Sequence, residues 1–155
     1  MNMERTQPVS GVIAPRKSVD RLESFGIYKL ACQLFDDFWT DSEILGKDYR
    51  GRELAKQQVR SLDSICANIE EGFGRGFGKE LPQHLKIARG EARESRGRFG
   101  RCKHLLHADL INQRLAKLDY IIGGLTNTIN TIETKQRRLS EVGSRHPSPA
   151  TRHTP

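Results

Sequence analysis

The chain has 155 residues, enough for one domain of ordinary size. Apolar residues make up 35% of it and charged residues 29%, and it holds no continuous apolar run of the roughly 18 residues that would suggest a membrane-spanning helix. Lys and Arg number 26 against 19 Asp and Glu, a formal charge of +7, which favours a polyanionic partner such as nucleic acid without bearing on fold.

Residues 1–23 carry Pro8 and Pro15 with only scattered apolar side chains, so they read as a flexible tail and not as a signal peptide. Residues 140–155 are rich in proline and hold only Val142 and Ala150 as apolar positions, too little buried area to offset ordering entropy. Cys32, Cys66 and Cys102 are too few and too far apart for a disulfide framework, which fits a reducing, cytoplasmic setting.

Residues 24–139 hold four stretches of helical period. The first starts near Ser24 as an N-cap and places Ile27, Leu30, Ala31, Leu34, Phe35, Phe38 and Trp39 on one stripe ending near Ser42. The second runs from about Arg52 to Glu71, with Leu54, Val59, Leu62, Cys66, Ile69 and Phe73 as its stripe and Gly72 as a left-handed C-terminal cap. The third starts near Glu80, because Pro82 is tolerated in a first turn, and carries Leu81, Leu85, Ala88, Ala92, Ser95, Phe99, Cys102 and Leu106. The fourth, from about Ala108 to Arg138, repeats Ile111, Leu115, Leu118, Ile122, Leu125, Ile129 and Ile132 at the four-three rhythm of a bundle seam, with Leu139 continuing it.

No segment alternates polar and apolar residues in the manner of a strand, so the predicted fold is all-α, an antiparallel up-and-down four-helix bundle. The longest predicted connection is Asp41 to Gly51. Ile65, Leu105 and Ile121 sit beside the main stripes and suggest either a wide core face or burial against another subunit.

Several constellations invite a chemical reading and fall short of one. The glycine-rich stretch 72–79 lacks the Ser or Thr after Lys79 and the preceding strand that a phosphate loop requires; it reads as a flexible turn, with Phe73 or Phe77 available to stack on a base. Cys102, His104 and His107 match no standard zinc spacing, so no metal is expected. The adjacent acids Asp36 and Asp37, or Glu70 and Glu71, diverge by about 100° on a helix and cannot converge on a substrate. The expectation is a non-enzymatic protein without a cofactor.

The charge itself is concentrated. Between Arg75 and Lys103 stand nine basic residues, Arg75, Lys79, Lys86, Arg89, Arg93, Arg96, Arg98, Arg101 and Lys103, against the three acids Glu80, Glu91 and Glu94. All nine are read as the candidate nucleic-acid contact, and five of them, Lys86, Arg89, Arg93, Arg96 and Lys103, recur at helical spacing as one basic face of the third helix. The competing readings are a solvated face paired with acids on neighbouring helices, and a surface for an acidic protein.

Residues 57–75, QQVRSLDSICANIEEGFGR, resemble the pattern Q-x-x-R-A-x-x-S-I-x-x-N-I-x-E-G-x-G-R of the four-helix-bundle proteins encoded by intervening sequences in bacterial 23S ribosomal RNA genes. Gln57, Arg60, Ser64, Ile65, Asn68, Ile69, Glu71, Gly72, Gly74 and Arg75 match by position, and Leu85, Ile87, Ala88, Gly90 and Glu94 resemble a second family segment. Ser61, Asp63, Cys66 and Glu91 depart from it. The resemblance spans roughly residues 25–135. It implies an up-and-down bundle assembling as a homopentameric ring, related to the basic accessory proteins of diversity-generating retroelements, which bind a reverse transcriptase and its RNA.

Asn68, Glu71 and Arg75 form the polar signature, read as fixing the turn after the second helix. The expected function is a basic ring protein that binds RNA or an RNA–reverse transcriptase complex; the alternative is a scaffold that binds protein only.

Overall fold

The computed structural model describes residues 21–76 and 78–143, and among these there is no strand. A single turn, α1 (Arg21–Ser24), leads into α2 (Gly26–Leu45). Then follow α3 (Tyr49–Gly74), α4 (Glu80–Arg101), a 3-10 turn at Cys102–His104, and α5 (Ala108–Gly143). α2 packs on α3, α3 on α4, α4 on α5, and α5 returns to α2, which closes a four-helix bundle. Pairings such as Tyr28 with Glu70 and Cys32 with Cys66 run in opposite senses along the chain, so these neighbours are antiparallel.

Leu34, Phe38, Leu62, Ile65, Ile69, Leu85, Phe99, Leu118, Ile121 and Leu125 are almost wholly buried. Phe38 and Phe99 meet edge to face with ring centres 5.9 Å apart, tying α2 to α4 across the interior. Ile65 and Ile121 thus lie inside the single chain, so the side positions of the stripes do not by themselves call for a second subunit.

The helix ends differ from the sequence expectation for local reasons. Phe25, not Ser24, occupies the position before α2, while the Ser24 hydroxyl donates back to the Arg21 carbonyl. The long connection expected from Asp41 to Gly51 shrinks to Gly46, Lys47 and Asp48. Asp48 caps α3, its carboxylate accepting from the backbone N–H groups of Arg50 and Gly51, so the helix starts at Tyr49 and not at Arg52. Gly51 is required there: a Cβ on it would lie 2.2 Å from the Leu45 carbonyl oxygen.

Gly72 is not a left-handed cap. It is a buried helical residue at the close crossing of α3 and α4, where an added Cβ would come within 3.0 Å of both His84 Cβ and Leu81 Cδ1. The left-handed residue is Gly76, with φ of 88°, after the helix has continued to Gly74. At the other end α5 runs to Gly143, into the stretch expected to be a tail; residues 1–20 and 144–155 lie outside the described residues.

The stripe of α3 is also rotated. The buried positions are Gly51, Ala55, Gln58, Ser61, Leu62, Ile65, Cys66, Ile69 and Gly72, whereas Val59 is partly exposed and Phe73 only half-buried. Trp39 leaves its predicted stripe at 65% exposure, and Leu139 is exposed beyond the end of the bundle.

Candidate nucleic-acid interface

The basic row of α4 lies along its seam with α5. Lys86 Nζ is 2.6 Å from Glu133, Arg89 donates to the Thr126 hydroxyl at 3.3 Å, and Arg96 grips Asp119 through two nitrogens at 2.5 and 3.2 Å. These partners recede along α5 as the row advances along α4, the register of an antiparallel pair. Arg93, between Arg89 and Arg96, has no hydrogen-bond or ion-pair partner among the described residues and is exposed. The reading of a face paired with acids on a neighbouring helix therefore holds for part of the row.

The Arg96–Asp119 pair is open to water, with side chains 46% and 55% exposed. Such pairs are screened and weakly held, so a phosphate oxygen can replace the carboxylate at small cost. Arg96 holds the Asp119 carboxyl below the usual carboxylate range, chiefly by its hydrogen bond.

Of the nine candidate contacts, Arg98 and Arg75 are engaged elsewhere, and Lys103 drops out of the expected face. Arg98 is buried between α3 and α4: one guanidinium nitrogen donates to Ser61 Oγ at 2.8 Å, Gln58 Oε1 at 3.4 Å and the Gln57 carbonyl at 3.3 Å, and the other reaches Glu94 at 3.4 Å. Gln58 in turn donates to Ser95 Oγ at 2.6 Å. Arg98 is a core residue and is unavailable to nucleic acid. Lys103 belongs to the 3-10 turn, where the helical register of the row has ended. Arg75 bonds Glu71 and lies 3.7 Å from Glu80, at the opposite end of the bundle from Lys103. Lys79 and Arg101 are exposed without an ion-pair partner among the described residues.

The polar signature proves local. Asn68 donates to the Ser64 carbonyl at 2.8 Å and lies 3.4 Å from His84 of α4, while Glu71 and Arg75 close the end of α3. Gln57 and Arg60 are exposed; the buried glutamine of this segment is Gln58. Of the residues considered for stacking, Phe73 packs against Phe25 with ring centres 5.2 Å apart, and Phe77 lies outside the described residues. Cys102 is buried and His104 and His107 are exposed, so the three do not face one another as a ligand set.

One charged cluster was not anticipated. Asp41 is fully buried and receives two hydrogen bonds from Arg114, at 2.8 and 3.1 Å. Arg114 also reaches Asp37 at 3.1 Å, and Lys117 lies 2.5 Å from the same Asp37 oxygen. Asp41 continues the spacing of Leu34, Phe38 and Leu45, which was the available signal: a carboxylate on an apolar stripe needs a cation on the facing helix.

A family model described as 23S rRNA-intervening sequence protein matches residues 23–127, about two thirds of the chain. No curated protein and no solved structure matches it.

Proposed function

The chain belongs to the 23S rRNA-intervening sequence protein family, and from that premise we propose that it acts by binding RNA and not by catalysis, through the basic row on the α4–α5 seam. The observation that carries this is the row itself: Lys86, Arg89, Arg93 and Arg96 share one side of a rigid helix, with one of them unpartnered among the described residues and two held only by water-exposed carboxylates. Phosphates spaced along a strand can replace those carboxylates in turn, releasing condensed counterions as they bind.

The reading includes assembly as a homo-oligomer, a ring of five in keeping with the family likeness. It is supported by large side chains left exposed on the single chain, Trp39 and, at 68% exposure, Tyr120. In a ring each copy's row would be repeated around the assembly. The accessory role beside a reverse transcriptase is the version of this function in which the bound RNA arrives with a second protein.

Fluorescence anisotropy with labelled RNA across a salt series tests the proposal, on protein whose subunit number has been fixed by light scattering. The logarithm of the binding constant is expected to fall linearly with that of salt concentration, and changing Arg89, Arg93 and Arg96 together to Ala should flatten the slope by about two to three. A slope that the triple variant leaves unchanged refutes the assigned row. A monomeric mass removes the ring and leaves the RNA reading standing.

A further inference from the structure

A second cationic feature lies off the basic row. The first turn of α3, the last turn of α4 and the 3-10 turn enclose a cleft of about 200 Å3 lined by Arg50, Leu54, Arg101, His104 and Leu105. Leu54 and Leu105 are half-buried and line it with apolar surface. The polar side chains come from three different segments, Arg50 from α3, Arg101 from α4 and His104 from the 3-10 turn, so the cleft is built by the tertiary fold.

Arg50 has partners on its own side of the cleft, although its side chain stays 66% exposed. Asp48 accepts from its Nε at 3.1 Å and from one Nη at 3.0 Å, and the guanidinium carbon stands 5.4 Å from the centre of the exposed Tyr49 ring. That fork uses one edge of the guanidinium and leaves the other Nη to an incoming oxygen. Asp48 balances the charge of Arg50, so the net positive charge of the cleft comes from Arg101, which has no ion-pair partner among the described residues.

A cation-edged cleft with a leucine lining offers two things together: contact for a flat apolar face and charge for an anion attached to it. At about 200 Å3 it is smaller than the roughly 300–1,000 Å3 of sites that enclose a whole small-molecule ligand, so it has room for one ring system with the anionic group outside. A nucleotide fits this division, its base on Leu54 and Leu105 and its phosphate on Arg101 and the free edge of Arg50. A paired base cannot enter, because both its faces are stacked and its edge is occupied.

We propose that this cleft captures a single unpaired nucleotide of the bound RNA, with Leu54 and Leu105 against the base and Arg101 and Arg50 on the phosphate. The proposal rests on the RNA-binding reading and adds a preference that the basic row alone cannot supply, since phosphate contacts along a helix face do not distinguish paired from unpaired bases.

Two RNAs test it, a blunt two-strand duplex and the same duplex with a short single-stranded overhang, together with adenosine monophosphate and inorganic phosphate as isolated probes. The wild-type protein is expected to bind the overhang RNA about five- to tenfold more tightly than the blunt one, the scale of one added base contact. That ratio should fall to about one in Arg101→Ala and in Leu105→Ala; the first changes an exposed side chain and keeps the test valid if the second fails to fold. In methyl-detected NMR, adenosine monophosphate should shift the Leu54 and Leu105 signals and inorganic phosphate should not.

Salt-dependent RNA binding with a wild-type ratio near one, or a ratio that survives both substitutions, overturns the cleft and leaves the basic row intact. If neither RNA binds, the RNA-binding reading fails, and leucine methyl signals unmoved by the nucleotide then overturn the cleft as well.

Discussion

Arg114 and Arg96 each hold one aspartate with two guanidinium nitrogens, and the two pairs have opposite meanings. Arg114 joins α5 to the fully buried Asp41 of α2, with Asp37 and Lys117 completing the cluster, whereas Arg96 joins α4 to Asp119 of α5 in open solvent. Contact geometry is nearly the same; access to water differs. Inside the bundle the aspartate has no alternative partner, so the pair fixes which helix faces which. At the surface water screens the attraction, and the arginine can exchange its carboxylate for another anion.

The sharpest way to break this contrast is to remove one arginine from each setting. Arg114→Ala leaves Asp41 charged and buried, and should cost about 3–5 kcal/mol in urea unfolding, enough to unfold a marginal domain. A loss below about 1 kcal/mol would mean that water reaches Asp41.

Arg98 supplies the intermediate case, one of the nine basic candidate residues, whose side chain points into the bundle. Arg98→Ala withdraws the donor from Ser61 and Gln58, and the expected cost is about 1–3 kcal/mol, with no change in the salt slope of RNA binding beyond that from lost folded protein.

Arg96→Ala should leave the urea midpoint unmoved while lowering RNA affinity, and its structural trace should appear at Asp119. The Asp119 carboxyl is depressed in the folded protein, so whatever stability the pair adds is complete above the ordinary aspartate value of about 4 and is lost as pH falls through the lowered folded value. In the variant, an NMR titration should show that carboxyl moving back up toward the ordinary value. An unmoved titration would assign the depression to something other than Arg96.

The fold was legible because four long stretches keep one apolar face, and periodicity survives errors in phase. On α3 the phase itself was misread: Gln58, Ser61 and Gly72 occupy buried positions where an apolar pattern registers nothing, and Val59 and Phe73 beside them drew the stripe about one residue round the helix. The same concealment hid the interior role of Arg98, since its acceptors are those uncounted polar residues. The α4 row was legible from spacing alone. Its partial neutralisation was not, because Glu133, Thr126 and Asp119 lie 23 to 47 positions downstream of their partners and only the antiparallel crossing brings them back.

α5 has 36 residues against 22 in α4, about 54 Å of helix against about 33 Å, so it outruns its neighbour. Gln136 donates to the Gly78 carbonyl at 3.1 Å, and residues 137–143 are all exposed. Those final two turns continue an already nucleated helix but are exposed throughout, so they are held chiefly by local helical bonds and fray first. They form a stalk that yields before the bundle does: cargo fused after Gly143 would ride on a hinge, and a probe placed there would lose its orientation at temperatures where the rest of the molecule still kept its shape.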